Sequence, residues 1–174
     1  MIYVLAFVVL LLAAAVIALF AMLGELYARL GGAKGPTPTL DEAKVGQQPA
    51  AWPKELSRVA TAPDGLLMVL STSCASCARV ADQLRDRADP LPGYDTAVAL
   101  STPDQATADA FVAEHGLRPR STFIDVRGKW ATGEFGVQTS PSALFLRGGR
   151  LDSALVFMDV DSLRDAAVPA GQHD

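Results

Sequence analysis

The sequence predicts an α/β domain with a parallel core sheet, closed by a C-terminal hairpin and helix and carried behind an apolar N-terminal segment. Three observations predict it. A wholly apolar run at 66–70 gives way to a helical pattern that opens on Cys74-Ala75-Ser76-Cys77. The strand–helix order then repeats, which implies a right-handed crossover and parallel pairing. Near the end, two apolar runs flank Arg147-Gly148-Gly149-Arg150, a hairpin signature.

The chain has 174 residues, a formal net charge of -4 and 50% hydrophobic residues, and much of the apolar content is local. Residues 1–23 contain no charge. As a helix they would span roughly 35 Å, enough to cross a bilayer. The run Val8-Val9-Leu10-Leu11-Leu12 and the residues after it are apolar all round, leaving no polar face to lie on a membrane surface. There is no positive n-region, and the apolar core exceeds that of a cleaved signal peptide. The expectation is an uncleaved transmembrane anchor over 1–24. Arg29 and Lys34 follow it, and the positive-inside rule by itself would place the domain in the cytoplasm. Gly31-Gly32 and Gly35-Pro36-Thr37-Pro38 break any helix and open a linker expected over 25–53, loosely continued through Gln47-Gln48-Pro49 to Trp52-Pro53. The domain is expected over 54–168, about the modal size of one small domain, with a tail over 169–174 that includes His173.

Within the domain, residues 55–60 suit a short helix. The run Leu66-Leu67-Met68-Val69-Leu70 is a buried strand bounded by Asp64-Gly65 and Ser71-Thr72-Ser73, and the hydroxyl cluster supplies helix-capping oxygens. Cys77, Val80, Ala81, Leu84 and Ala88 then recur at helical spacing, with Arg79, Asp82, Arg85 and Asp86 opposite. Pro90, Pro92 and Gly93 mark a loop before a strand at 94–100. A helix follows at 104–117, with Ala106, Ala110, Phe111 and Leu117 on one face. A strand at 122–126 ends in the turn Arg127-Gly128-Lys129, and after Gly136 to Ser142 come the hairpin and a closing helix at 161–167. Pro141 cannot donate to a ladder and suits a turn. The Ser140-Pro141 bond is either cis or, as X–Pro bonds more often are, trans.

The chemistry points to Cys74 and Cys77, the only two cysteines. A separation of three on a first helical turn puts both sulfurs on one face, close enough to join. A cysteine at a helix N-terminus meets unpaired N–H groups and the macrodipole, which lower its pKa from about 8.5 into roughly the 3.5–7.5 range. Cys74 is therefore the candidate nucleophile toward a partner disulfide, and Cys77 the thiol that resolves the mixed disulfide. Other readings stay open: two inert thiols on a binding module, a structural disulfide whose short loop removes little entropy, and half of a metal site, for instance a Cu(I) carrier. Zinc would want four ligands, and the chain adds only His115 and His173. His115 reads as a solvated surface histidine, Asp125 as an edge-strand or turn carboxylate, and Trp52 and Trp130 as packing residues. Arg118 and Arg120 form no basic stripe for nucleic acid. No phosphate loop or Ser-His-Asp set stands out.

Strand–CxxC–helix, the βαβ start, and the proline before the terminal hairpin and helix together resemble the thioredoxin superfamily over about the last two-thirds of the chain. The resemblance implies a central mixed β-sheet flanked by helices. It also implies a cis proline beside the CxxC, whose preceding backbone meets the partner chain; those roles fall to Pro141 and Ser140, with Pro119 a poorer bearer. A single anchor plus this domain looks like the membrane-tethered TlpA/ResA-like thiol-disulfide oxidoreductases and the MauD-type proteins. That similarity implies an extracytoplasmic domain, protein thiol or disulfide substrates such as those of cytochrome c biogenesis, a membrane or secreted electron donor, and no bound cofactor. Where thioredoxin has Trp-Cys-Gly-Pro-Cys, this chain has Ser73 before the motif and Ala75-Ser76 within it, and the place of thioredoxin's buried acid corresponds to Met68.

Overall fold

The computed structural model describes Val16, the backbone of Thr39–Leu40, and residues 43–87, 89–118 and 121–167. The anchor expected over 1–24 lies outside them apart from Val16, as do Ala88, Pro119, Arg120 and the tail with His173. Among the described residues no helix is long and apolar enough to cross a membrane.

In chain order the elements are β1 (Thr39–Leu40), a 3-10 turn (Lys54–Leu56), α1 (Ser57–Thr61), β2 (Asp64–Ser71), α2 (Ala75–Asp86), β3 (Asp95–Thr102), α3 (Gln105–Glu114), β4 (Ser121–Val126), α4 (Lys129–Phe135), β5 (Ser142–Arg147), β6 (Arg150–Val156) and α5 (Val160–Ala167). The sheet order is β1-β6-β5-β2-β3-β4. β2, β3 and β4 run parallel, while β5, β6 and β1 are antiparallel to their neighbours. The sheet is thus mixed, as expected.

β2 lies at the centre because all six residues from Gly65 to Leu70 can be buried. Its alternation splits the core in two. Leu66, Met68 and Leu70 join Cys77, Val80, Ala81 and Leu84 of α2 and Val160 and Leu163 of α5. Leu67 and Val69 face the opposite way, toward Leu56, Val59, Ala131 and Phe135. Of the predicted stripe, Cys77, Val80, Ala81 and Leu84 are buried. Beyond α2, Arg87 makes a two-pronged ion pair with Asp161 at 2.5 and 2.8 Å, and Gln83 accepts the Val160 N–H at 2.8 Å, which fastens α5 to α2.

Four expectations need correction. Residues 39–40 and 43–53, assigned to the linker on Gly, Pro and Gln content, are part of the fold. Thr39–Leu40 pairs with β6, Lys44 N–H donates to the Phe135 carbonyl at 2.8 Å, and Trp52 packs on Trp130 with ring centroids 5.5 Å apart. Packing of the half-buried Trp52 ring on Trp130 and Phe135 outweighs the loop-like composition around it. In α3, Ala106 and Ala110 are exposed; the covered face is Ala108, Phe111 and, partly, Val112. His115 is only 8% exposed, its Nδ1 3.0 Å from an Asp82 carboxylate oxygen and its ring 4.3 Å from that of Phe111. Phe111 and His115 sit one turn apart and cross to α2 together, so the imidazole is a packing and tethering group. Finally, the cap of α2 is a sulfur rather than a hydroxyl.

Candidate functional site: the Cys74–Cys77 dithiol

β2 delivers the chain to the sheet's C-terminal edge, where Cys74 N–H donates to the Ser71 carbonyl at 3.3 Å. Cys74 has extended backbone (φ -111, ψ 116) and is the N-cap of α2, so its own Sγ accepts the Cys77 N–H at 3.4 Å. The Ser71 and Ser73 hydroxyls, expected to cap the helix, are bonded to each other at 3.0 Å. The Ser76 hydroxyl lies 3.0 Å from the Cys74 sulfur. As a thiol, Cys74 donates to the Ser140 carbonyl at 3.5 Å.

The two sulfurs are unlike. Cys74 is partly exposed and Cys77 fully buried, and both are free thiols. Partial burial of Cys74 works against its thiolate, but hydrogen bonds from Cys77 and Ser76 outweigh it and bring the thiol below its ordinary range. Cys77 is pushed up to about 12, first by burial and then by its hydrogen bond with Cys74. The arrangement suits one accessible nucleophile and one protected thiol held in reserve behind it.

Ser140-Pro141 reaches this place through β5, whose pairing with β2 ends at Val69 and Ser142. The Ser140-Pro141 peptide is cis, and Pro141 is buried. Cys74, Cys77, Ser140 and Pro141 therefore stand together. Asp125 stands apart from the thiols. It is buried, and its two oxygens accept the Trp130 and Ala131 N–H groups at 3.0 and 2.9 Å at the start of α4. Among the described residues, no three His, Cys, Asp or Glu side chains gather in a way that could hold a metal ion. Sequence reasoning missed Ser76 as a partner of Cys74; its signal was a hydroxyl one residue before Cys77. It also missed α4, a short helix between Gly128 and Gly136 that carries one wall beside the site.

No protein-family model matches the chain, and no curated protein matches it. Solved structures do. A DsbF homologue from Corynebacterium diphtheriae has a TM-score of 0.52 at 16% identity, covering 78% of this chain and 94% of that one. A secreted thiol-disulfide isomerase from Corynebacterium glutamicum (TM-score 0.49, 15% identity, 79% and 93% covered) is also similar. So is a secreted Mycobacterium tuberculosis disulfide oxidoreductase homologous to E. coli DsbE (0.48, 20%, 60% and 79%). With the strand order and the placement of α2, the first of these shows the fold: it is thioredoxin-like.

Proposed function

We propose that this protein is a membrane-anchored thiol-disulfide oxidoreductase that exchanges electrons with extracytoplasmic protein thiols through Cys74 and Cys77. The observation that carries the reading is the asymmetry of the pair: an accessible sulfur with thiolate-favouring contacts from Ser76 and Cys77, next to a buried one that keeps its proton. In the reducing direction the Cys74 thiolate attacks one sulfur of a partner disulfide. The partner S–S bond breaks, a Cys74–partner bond forms, and one partner thiolate leaves. Cys77 then loses its proton and attacks Cys74 Sγ. The mixed disulfide breaks, a Cys74–Cys77 bond forms, and the second partner thiolate leaves, so two electrons have passed to the partner. Reversal oxidises a partner dithiol. A membrane or secreted donor resets the pair, and no organic cofactor takes part. Ser140 supplies a carbonyl beside Cys74 against which an extended partner segment lies, with Pro141 shaping the loop. Residues 1–24 anchor the chain.

The test uses the full chain in detergent, equilibrated with reduced and oxidised glutathione and followed by thiol alkylation, with Cys77→Ser as the trapping variant. A reversible two-electron couple and mixed disulfides trapped through Cys74 are expected. Two thiols that stay inert in the folded chain, or that titrate only once metal is removed, would sink the reading. In intact cells, labelling of Cys74 by a membrane-impermeant thiol reagent is expected, and protection from it would put the domain on the cytoplasmic side.

A further inference from the structure

The ends of β2, β3 and β4 stand in register at Ser71, Ser101 and Asp125. Beyond them the turn Arg127-Gly128, the start of α4 and the loop 137–140 enclose a groove of about 220 Å³. A second hollow of about 150 Å³ adjoins it past Ser71–Ser73 and Pro103, and Arg127 lines both. Ser140 belongs to the groove wall, and its carbonyl lies 3.5 Å from Cys74 Sγ. A chain that presents a disulfide to Cys74 along Ser140 therefore lays its neighbouring residues over this groove. The lining is polar, with hydroxyls from Ser71, Ser101, Thr132 and Thr139. At Gly128 an added Cβ would come within 2.9 Å of the Ser101 hydroxyl, so the glycine leaves that oxygen room.

Arg127 is exposed, and among the described residues its guanidinium has neither a hydrogen bond nor an ion pair. The carboxylates in the adjoining turns are engaged elsewhere. Asp125 holds the α4 N–H groups, and Asp104 accepts the Thr107 N–H at 2.8 Å. Arg127 is also the one described non-glycine residue at positive φ (63°). That conformation disfavours a side chain, so an arginine there is held at a cost in backbone strain.

We propose that this groove selects protein segments carrying a carboxylate side chain near the reacting disulfide, with Arg127 as the residue that reads it. The proposal rests on the thiol-disulfide reading above and adds the class of partner. An exposed guanidinium meeting a carboxylate gives a modest, salt-sensitive preference rather than an anchor.

The experiment measures exchange rates of the full chain with two disulfide-bonded peptides that differ only in Glu or Lys next to the cysteine. Uncharged hydroxyethyl disulfide serves as the reference oxidant. The native chain is expected to favour the Glu peptide by about three- to five-fold at low salt. Arg127→Glu is expected to invert that ratio, which a merely structural role for Arg127 would not do. Equal rates for both peptides in the native chain, or a ratio unmoved in Arg127→Glu, overturn the groove proposal while reaction with hydroxyethyl disulfide keeps the oxidoreductase reading. Failure of the native chain to react with hydroxyethyl disulfide overturns both.

Discussion

Cys74 and Cys77 share one helical turn, yet their protons are held with opposite strengths, because one sulfur caps the helix and the other lies in the core. The hydroxyl of Ser76 is the contact most open to test. Ser76→Ala removes a hydrogen bond to a charged acceptor worth about 1 kcal/mol or more, so exchange near neutral pH should slow by about five-fold. Thiolate absorbance against pH should show Cys74 titrating higher than in the native chain; an unchanged titration would remove Ser76 from the site. The pair also sets a pH profile for the stability of the reduced protein. Cys74 is an acid lowered on folding from an ordinary 9.0, so its contribution is present above pH 9 and fades as pH falls through its folded value. Cys77 is raised from 9.0 to about 12, so its contribution is present below pH 9 and is lost as pH rises toward 12. The dithiol terms therefore peak near pH 9. Between pH 9 and pH 11 Cys77 alone should cost the reduced protein about 2 kcal/mol. Urea midpoints should show that fall in the native chain and not in Cys77→Ser.

Among the elements, α4 shows best how a carboxylate places a wall of the site. Asp125, one residue before the end of β4, turns both oxygens onto N–H groups in the first turn of α4, while Gly128 and Gly136 close the helix at φ 63 and φ 74. Asp125→Ala leaves those donors without an acceptor in a buried place, a loss of about 1–3 kcal/mol. Asp125→Asn keeps one oxygen and should cost less. Chemical denaturation ranks the two, and the Ala variant should also weaken the peptide preference at Arg127, since the groove wall starts on this helix. The element itself was hard to see in the sequence. Its seven residues hold a glycine and two aromatics, too few for a helical period to stand out, and its cap comes from a residue in the preceding strand. α3 failed for a related reason: alanines at 106, 108 and 110 fit several faces equally, and only packing chose Ala108 with Phe111. The segment 43–53 has a loop's composition and one half-buried tryptophan, and contact of Trp52 with Trp130 and Phe135 ties it to the fold.

For the whole molecule, the organising fact is a central strand with no wet face. Leu67 is fully buried among α1, α4 and the hairpin, on the side of the sheet away from the thiols. Leu67→Ala should destabilise the fold by about 2–5 kcal/mol while leaving the Cys74 titration where it was, as thermal melts and thiolate absorbance would report together. A shifted Cys74 titration would mean the two core layers are coupled through β2. Local sequence was enough for the strand at 66–70, the helix behind the CxxC, the hairpin at Gly148-Gly149 and the spacing that makes Cys74 and Cys77 the candidate pair. Each of these is encoded by neighbours within a turn or two, where apolar period, cysteine spacing and turn residues act directly. Only the folded chain showed that His115 is tethered to Asp82 and that Arg127 overlooks a groove beside the sulfur, and the place of Ser140-Pro141 against Cys74 came from the family resemblance and not from any local pattern. Those juxtapositions join residues 33 to 66 positions apart. They follow from strand order and register, which arise when the two faces of β2 are buried together and which no local pattern specifies.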